Sequence, residues 1–289
     1  MDLSIAAFLA RLHDVSRPPL VMGVLNLTPD SFSDGGRFVH AAEHTRVDAA
    51  LVEARRMVAE GAELLDLGGE STRPGAVPVD EGEELRRVLP VLEALAAEGT
   101  VHLSVDTQRA SLARRAADVG AVLVNDVGAG GRDPLLWPLV AERGLPYVLM
   151  HMQGTPRRMQ EDPCYEDVAQ EVGHFLADGT RRLMALGLPK ARIVLDPGIG
   201  FGKTLAHNRA LLRALAPVEG QAYLLGASRK RFIAGVEEEQ GLRPSAPTGR
   251  LGGSVAAALW GARCGARILR VHDVAETVQA LRLWRWLEG

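Results

Sequence analysis

The chain has 289 residues, 47% of them hydrophobic, and its 33 Lys and Arg against 36 Asp and Glu leave a net charge of −3. That length suits one large domain with a sizeable core, and the charge balance excludes a general nucleic-acid partner, because RRM at 55–57 and SRKR at 228–231 are too short to form a basic face. Two widely separated cysteines, Cys164 and Cys264, exclude a disulfide framework or a thiolate metal cluster and suit a reducing, cytoplasmic setting.

The chain opens on MDLSIAAFLARLHD, whose acidic Asp2 stands where a secretory signal carries positive charge, and whose residues 4–12 read as a short amphipathic helix. No apolar stretch reaches the span of a bilayer, so a soluble protein is expected. Eight short runs rich in Val, Ile and Leu follow, each ending on a polar residue: VMGVL into Asn26, AELLD at Asp66, VHLSV into Asp106, AVLV into Asn125, PYVLM into His151, RIVL into Asp196, AYLLGA into Ser228 and ILRV into His272. Helix-forming segments come after them at 41–59, 81–97, 108–118, 133–142, 165–185, 204–215, 250–264 and 273–287, several opening on a capping residue such as Asp133, Thr204 or Asp273. Eight β-α units predict one (β/α)8 TIM barrel over 1–289, with 1–20 as an N-terminal extension. Connections 26–39 and 68–80, crowded with Gly, Pro, Ser, Thr and Asp, read as substrate-handling loops at the mouth. A third long connection, about 235–249, reads as an exposed excursion towards a partner subunit.

Three motif matches fail on inspection. DPGIGFGKT places Pro197 where a P-loop needs its first Gly, and GIGFG lacks the last interval of a dinucleotide fingerprint. His40, Glu43 and His44 match an inverted zinc-protease spacing without an obvious third ligand. Cys164 has no basic neighbour close by to activate it.

In such a barrel the strand ends converge on one face, so Asp106, Asn125 and Asp196 share a mouth. Any one Asp equally fits a cap of the following helix, as the order VDTQRA allows. Three polar tips together favour a ligand whose adjacent N–H groups offset the desolvation of the carboxylates, with the amide reading donor and acceptor edges beside them. The chain uses Arg almost everywhere and keeps only Lys190, Lys203 and Lys230. Lys203 reads as the start of a helix, whereas Lys230 after the seventh strand is placed to reach a ring carbonyl or nitrogen. Arg73, Arg270 and His272 are suited to phosphate, and Asn26 to a hydrated Mg2+ that also holds phosphate oxygens.

VMGVLNLTPDSFSDGGRF, LLDLGGESTRPGA, SVDT, VNDVGAG, LMHMQGTPRRMQ, VLDPGIGFGKT, GASRKRFI and RVHD, in this order, resemble dihydropteroate synthases of the folate pathway, from about Val21 to the last helix. The resemblance implies a pterin-binding transferase that condenses 6-hydroxymethyl-7,8-dihydropterin diphosphate with 4-aminobenzoate, giving 7,8-dihydropteroate and diphosphate. It also implies Mg2+, a homodimer and a target of sulfonamides. Carried over by position, it puts Asp106, Asn125, Asp196 and Lys230 on the pterin, with Met150 and Phe201 lining the ring. Asn26 falls on Mg2+ and diphosphate, Thr72, Arg73, Arg270 and His272 on the anion, and Ser228 and Arg229 near the aminobenzoate. Asp30 and Phe32 lie in the first mouth loop, which in the family folds over the reacting centre. A pterin-dependent methyltransferase would share the Asp and Asn pocket but has no need of NLTPDSF or STRPG, and a non-catalytic pterin-binding module would not need the anion and loop residues that are all present here.

Overall fold

The computed structural model describes residues 2–28, 43–71, 78–155 and 158–288, with the side chains of 43–46 outside that description. The eight apolar runs form a closed parallel barrel paired in chain order: β1 (Leu20–Asn26), β2 (Leu64–Gly68), β3 (His102–Asp106), β4 (Leu123–Asp126), β5 (Tyr147–Met150), β6 (Ile193–Asp196), β7 (Ala222–Leu225) and β8 (Ile268–Val271). β8 closes onto β1 with Leu20 opposite Ile268 and Met22 opposite Arg270. The expected (β/α)8 barrel is therefore the fold of the chain.

The described α-helices are α1 (Ile5–His13), α2 (Glu43–Glu60), α3 (Glu81–Glu98), α4 (Ala110–Asp118), α5 (Leu136–Arg143), α6 (Val168–Ala185), α7 (Leu205–Ala214), α8 (Arg231–Glu239), α9 (Leu251–Arg263) and α10 (Val274–Glu288). Their ends follow local chemistry. Asp80 accepts from the Glu83 amide to start α3, and Gly99, at φ 61, stops it. Thr204 opens α7 by a reciprocal box with His207.

Three expectations need correction. Asp273 does not cap α10 with its side chain, because Arg229 occupies that carboxylate. The excursion after β7 is partly helical: α8 runs through Gly235 to Glu239, with Ile233, Ala234 and Gly235 buried and Glu238 and Glu239 exposed. Nor is Asp133 the N-cap of α5, which begins at Leu136 after Leu135; its carboxylate accepts from Leu135 N at 2.9 Å and from Ala110 N at 2.7 Å and so ties the start of α4 to the approach to α5.

Side-chain alternation divides the apolar residues between two cores. Val21, Leu25, Leu65, Leu67, Leu103, Val105, Val124, Leu149, Leu195, Leu225 and Leu269 face outward into the helical jacket. α2 lies so close to β1 that a Cβ at Gly23 would sit 2.8 Å from the Met57 sulfur. The opposite parity, Leu20, Met22, Leu64, Leu123, Val148, Val194, Ala222, Leu224 and Ile268, fills the barrel interior together with Phe8 and Leu12 of α1. The N-terminal helix thus plugs the bottom of the barrel, with Phe8 edge-on to His102 at 5.6 Å between ring centroids. A plugged bottom leaves the carboxyl ends of the strands as the open face.

Candidate active site

The parity that fills the barrel also aims the polar tips. Asn26, Asp66, Asp106, Asn125, Met150, Asp196 and Arg270 each lie an even number of residues beyond an inward side chain on the same strand, so all seven belong to the interior face. In register, Asp106 stands opposite Asn125, and Asp196 opposite Met150.

Arg270 reaches across from β8 to two carboxylates: its Nε is 2.6 Å from Asp66 Oδ2 and its Nη2 is 2.8 Å from Asp106 Oδ2. Asp66 also accepts from Ser104 Oγ at 2.6 Å and from Asn125 Nδ2 at 2.8 Å. Burial raises the Asp106 carboxyl above its ordinary range, and neighbouring Asp66 adds to this, while Arg270 opposes it. Burial works against the charge of Arg270 too, but Asp66 and Asp106 more than offset it and keep the guanidinium firmly protonated.

The second half of the site is built by the turn after β6. Asp196 accepts from the Gly198 amide at 2.7 Å, and Gly198, at φ +67, passes so close to β5 that a Cβ there would sit 1.8 Å from the His151 carbonyl. Only glycine fits that path. The turn brings Phe201 under Lys230, whose ammonium stands 4.4 Å from the ring centroid and donates to the Ile199 carbonyl. Burial raises Asp196, with Lys230 opposing. Burial likewise lowers Lys230 to about 8, with Asp196 opposing, so the two groups act as mutual counter-charges.

Behind this turn lies Lys203, buried, with Nζ 2.9 Å from the Phe201 carbonyl and 3.0 Å from His151 Nδ1. Its expected role as a helix start is incorrect: Thr204 caps α7, while Lys203 points inward and ties the β6 turn to the end of β5. Burial lowers it to about 7, with Asp196 pulling the other way. The rarity of Lys in an Arg-rich chain was the available signal. Asp66 was legible as a strand-end residue, but nothing in LLDLG marked it as the junction of a network drawn from three other strands.

Around β7 and β8, Ser228 Oγ accepts from the His272 amide at 3.2 Å and lies 3.1 Å from its Nδ1. Arg229 adopts φ 58, receives Arg250 Nη1 on its carbonyl at 2.8 Å and donates its own amide to Ser254 Oγ at 2.9 Å. Its guanidinium pairs with Asp273, Nε to Oδ2 at 3.0 Å, so Arg229 braces the loop that carries Ser228 and Lys230. The turn therefore brings Ser228, Lys230, Arg270 and His272 to one side of the mouth. Asp30, Phe32, Thr72 and Arg73 lie outside the described residues, as do the side chains of His40, Glu43 and His44. Among the described residues no group of three or more His, Cys, Asp and Glu could form a metal cage.

A barrel with carboxylates, an amide and an ammonium gathered at its open end belongs to the class of barrel enzymes that read a nitrogen-rich ring and an anionic tail. The comparisons narrow that class. Residues 22–272 match the family described as pterin binding enzyme. The dihydropteroate synthase of Escherichia coli K12 is 46% identical over 272 residues, covering 93% of this chain and 92% of that protein. The one from Mycobacterium leprae is 45% identical over 278 residues, covering 94% and 95%. Among solved structures, the Yersinia pestis dihydropteroate synthase with a sulfonamide drug complex superposes with a TM-score of 0.85 at 45% identity, covering 95% of this chain and 96% of that one. The Xanthomonas albilineans enzyme with 4-aminobenzoic acid gives 0.83 at 46% identity, covering 94% of both chains. The chain belongs to the pterin binding enzymes and, within them, to the dihydropteroate synthases.

Proposed function

We propose that the barrel mouth carries out the dihydropteroate synthase reaction of folate synthesis, a transfer of the 7,8-dihydropterin-6-ylmethyl group from diphosphate to the amine of 4-aminobenzoate, with release of diphosphate. The observation that supports this most directly is that buried Asp106, Asn125 and Asp196 and half-buried Lys230 gather at the barrel mouth. Asp106 and Asp196 receive N–H groups of the pterin, Asn125 reads donor and acceptor edges beside them, Lys230 donates to its ring acceptors, and Met150 and Phe201 cover its faces. Ser228, braced by Arg229, stands beside the aminobenzoate. A Xanthomonas albilineans relative has been solved in complex with 7,8-dihydropteroate.

The arylamine is a neutral nucleophile and needs no strong base. The barrier lies in breaking the carbon–oxygen bond to diphosphate, whose electrons leave with the anion while the amine nitrogen bonds to the methylene and loses a proton. Arg270 and His272, with Thr72 and Arg73, stabilise charge as it builds on the leaving group. An electron-rich dihydropterin supports a cation at its exocyclic methylene, so a dissociative path suits the substrate. Asp30 and Phe32 are assigned to that cation and to excluding water from it.

Asn26, half-buried at the end of β1, supplies one oxygen donor in a mouth without a carboxylate cage among the described residues. That donor set fits Mg2+ that arrives with diphosphate oxygens and waters, and the ion would supply charge stabilisation to the leaving group. For quaternary structure we assign a homodimer. Leu283, Trp286 and Leu287 share one face of α10 and are 57%, 77% and 68% exposed, a patch suited to a second copy. No helix among the described residues is long and apolar enough to cross a membrane, and we assign a cytoplasmic location.

The deciding experiment measures diphosphate release with each substrate alone and with both. Release that requires both supports the assignment, whereas release from the pterin diphosphate alone, or none with the pair, overturns it.

A further inference from the structure

Glu84, on the first turn of α3, is a buried carboxylate that the proposed chemistry does not use. Both of its oxygens are taken: Oε1 accepts from Oγ1 of Thr107, directly after Asp106 at the end of β3, at 2.9 Å, and Oε2 accepts from Nη1 of Arg109. The other arm of that guanidinium, Nη2, donates to the Val79 carbonyl, and Nη1 also stands 3.6 Å from Glu70 Oε2, which Arg132 holds at 2.7 Å. Glu70 and Val79 lie near the two ends of the connection 68–80, so one guanidinium joins both. Arg87 of α3 adds a bond of 2.9 Å to the carbonyl of Gly69, where a Cβ would sit 3.1 Å from Glu84 Cγ. A buried ion pair is a poor device for stability alone, since well-packed apolar side chains of similar volume often do as well or better. Its geometric value is different: a planar fork fixed on one side by a carboxylate holds a carbonyl on the other at a set place.

We infer that Arg109, held by Glu84, is the positioning residue of the second mouth connection: it ties Glu70 and Val79 to the end of β3 and so fixes the two points between which the chain carries Thr72 and Arg73. Its effect falls on the transfer step and not on the hold of the ring, because Asn125, Asp196 and Lys230 draw on other partners, Asp66, Gly198 and Ile199. This rests on the assignment of Thr72 and Arg73 to the leaving diphosphate.

The test separates the tether from the fold. Arg109→Lys keeps a positive charge beside Glu84 but loses the fork that spans from Glu84 to Val79. In that variant kcat for diphosphate release with both substrates should fall by about tenfold to a hundredfold. Calorimetric affinity for 6-hydroxymethyl-7,8-dihydropterin, the substrate without its diphosphate, should stay within about twofold of wild type. Hydrogen–deuterium exchange of the backbone amides over 69–80 should quicken. The double variant Glu84→Met with Arg109→Met replaces the pair by apolar side chains and should unfold in urea close to wild type, yet show the same loss of kcat. A merely structural role predicts instead that this folded double variant turns over as wild type does. Wild-type kcat in Arg109→Lys overturns the inference, as does a pterin affinity that falls in step with kcat. Arg73→Ala tests the assignment beneath it: if that variant releases diphosphate at the wild-type rate, the role of Arg73 fails. Exchange over 69–80 then decides the tether alone, quickened in Arg109→Lys in its favour and unchanged against it.

Discussion

Lys203 holds its ammonium 3.0 Å from Nδ1 of His151, and both side chains are buried. An ammonium has donors only, so Nδ1 accepts, the ring proton sits on Nε2 and the imidazole is neutral. Burial, reinforced by Lys203, lowers His151 from 6.5 to about 4. The unfolded chain therefore binds the extra proton first as pH falls. The stability tied to this histidine is fully present above about 6.5 and is lost as pH drops towards about 4, by up to about 3 kcal/mol. Denaturant unfolding followed over that range should show the decline. His151→Gln should reduce it without abolishing it, because burial also lowers His102 at the other end of the barrel. An equally steep decline in the variant would contradict the assignment.

Replacing Asp196 by Asn keeps its size but removes the charge that faces Lys230 and the N–H edge of the pterin. Pterin affinity should fall by about 2–5 kcal/mol in a calorimetric titration. An unchanged affinity would remove Asp196 from the recognition edge.

Lys230 is needed as an ammonium, and burial brings it down to about 8. For wild type, kcat/KM for the pterin diphosphate should decline as pH rises through about 8, because the deprotonated amine no longer carries the charge that faces a ring acceptor. Lys230→Ala should lose most turnover and this alkaline limb with it. Near-normal steady-state kinetics in that variant would refute the role.

Phe8 is fully buried against His102 at the closed end, far in structure from the mouth. Phe8→Ala should cost about 3–5 kcal/mol in urea unfolding. The folded fraction should retain wild-type KM values, since α1 packs into the closed end of the barrel, opposite the mouth. A raised KM with unchanged stability would reverse the account of α1 as a plug.

The barrel was legible because its signal is local and repeated: short branched runs alternating with amphipathic helices admit few other architectures. Strand ends were legible for the same reason, and with them Asp106, Asn125, Asp196 and Arg270. The roles of Lys203 and Asp66 were not. LLDLG and FGKTL give no hint that one buries a carboxylate beneath three strands and the other an ammonium behind a turn, because those partners are 38 to 204 residues away for Asp66 and 52 for His151. The same distance hid the pairing of Arg229 with Asp273, which local reading had set down as a helix cap.

By itself, then, the sequence determined which residues face inward, since alternation along a strand is a property of the backbone that any short run displays. Only the tertiary structure decided which inward groups meet one another. Closing the sheet brings donors from β3, β4 and β8 around one carboxylate of β2, and the direction in which an amide points depends on neighbours that no local stretch of chain contains.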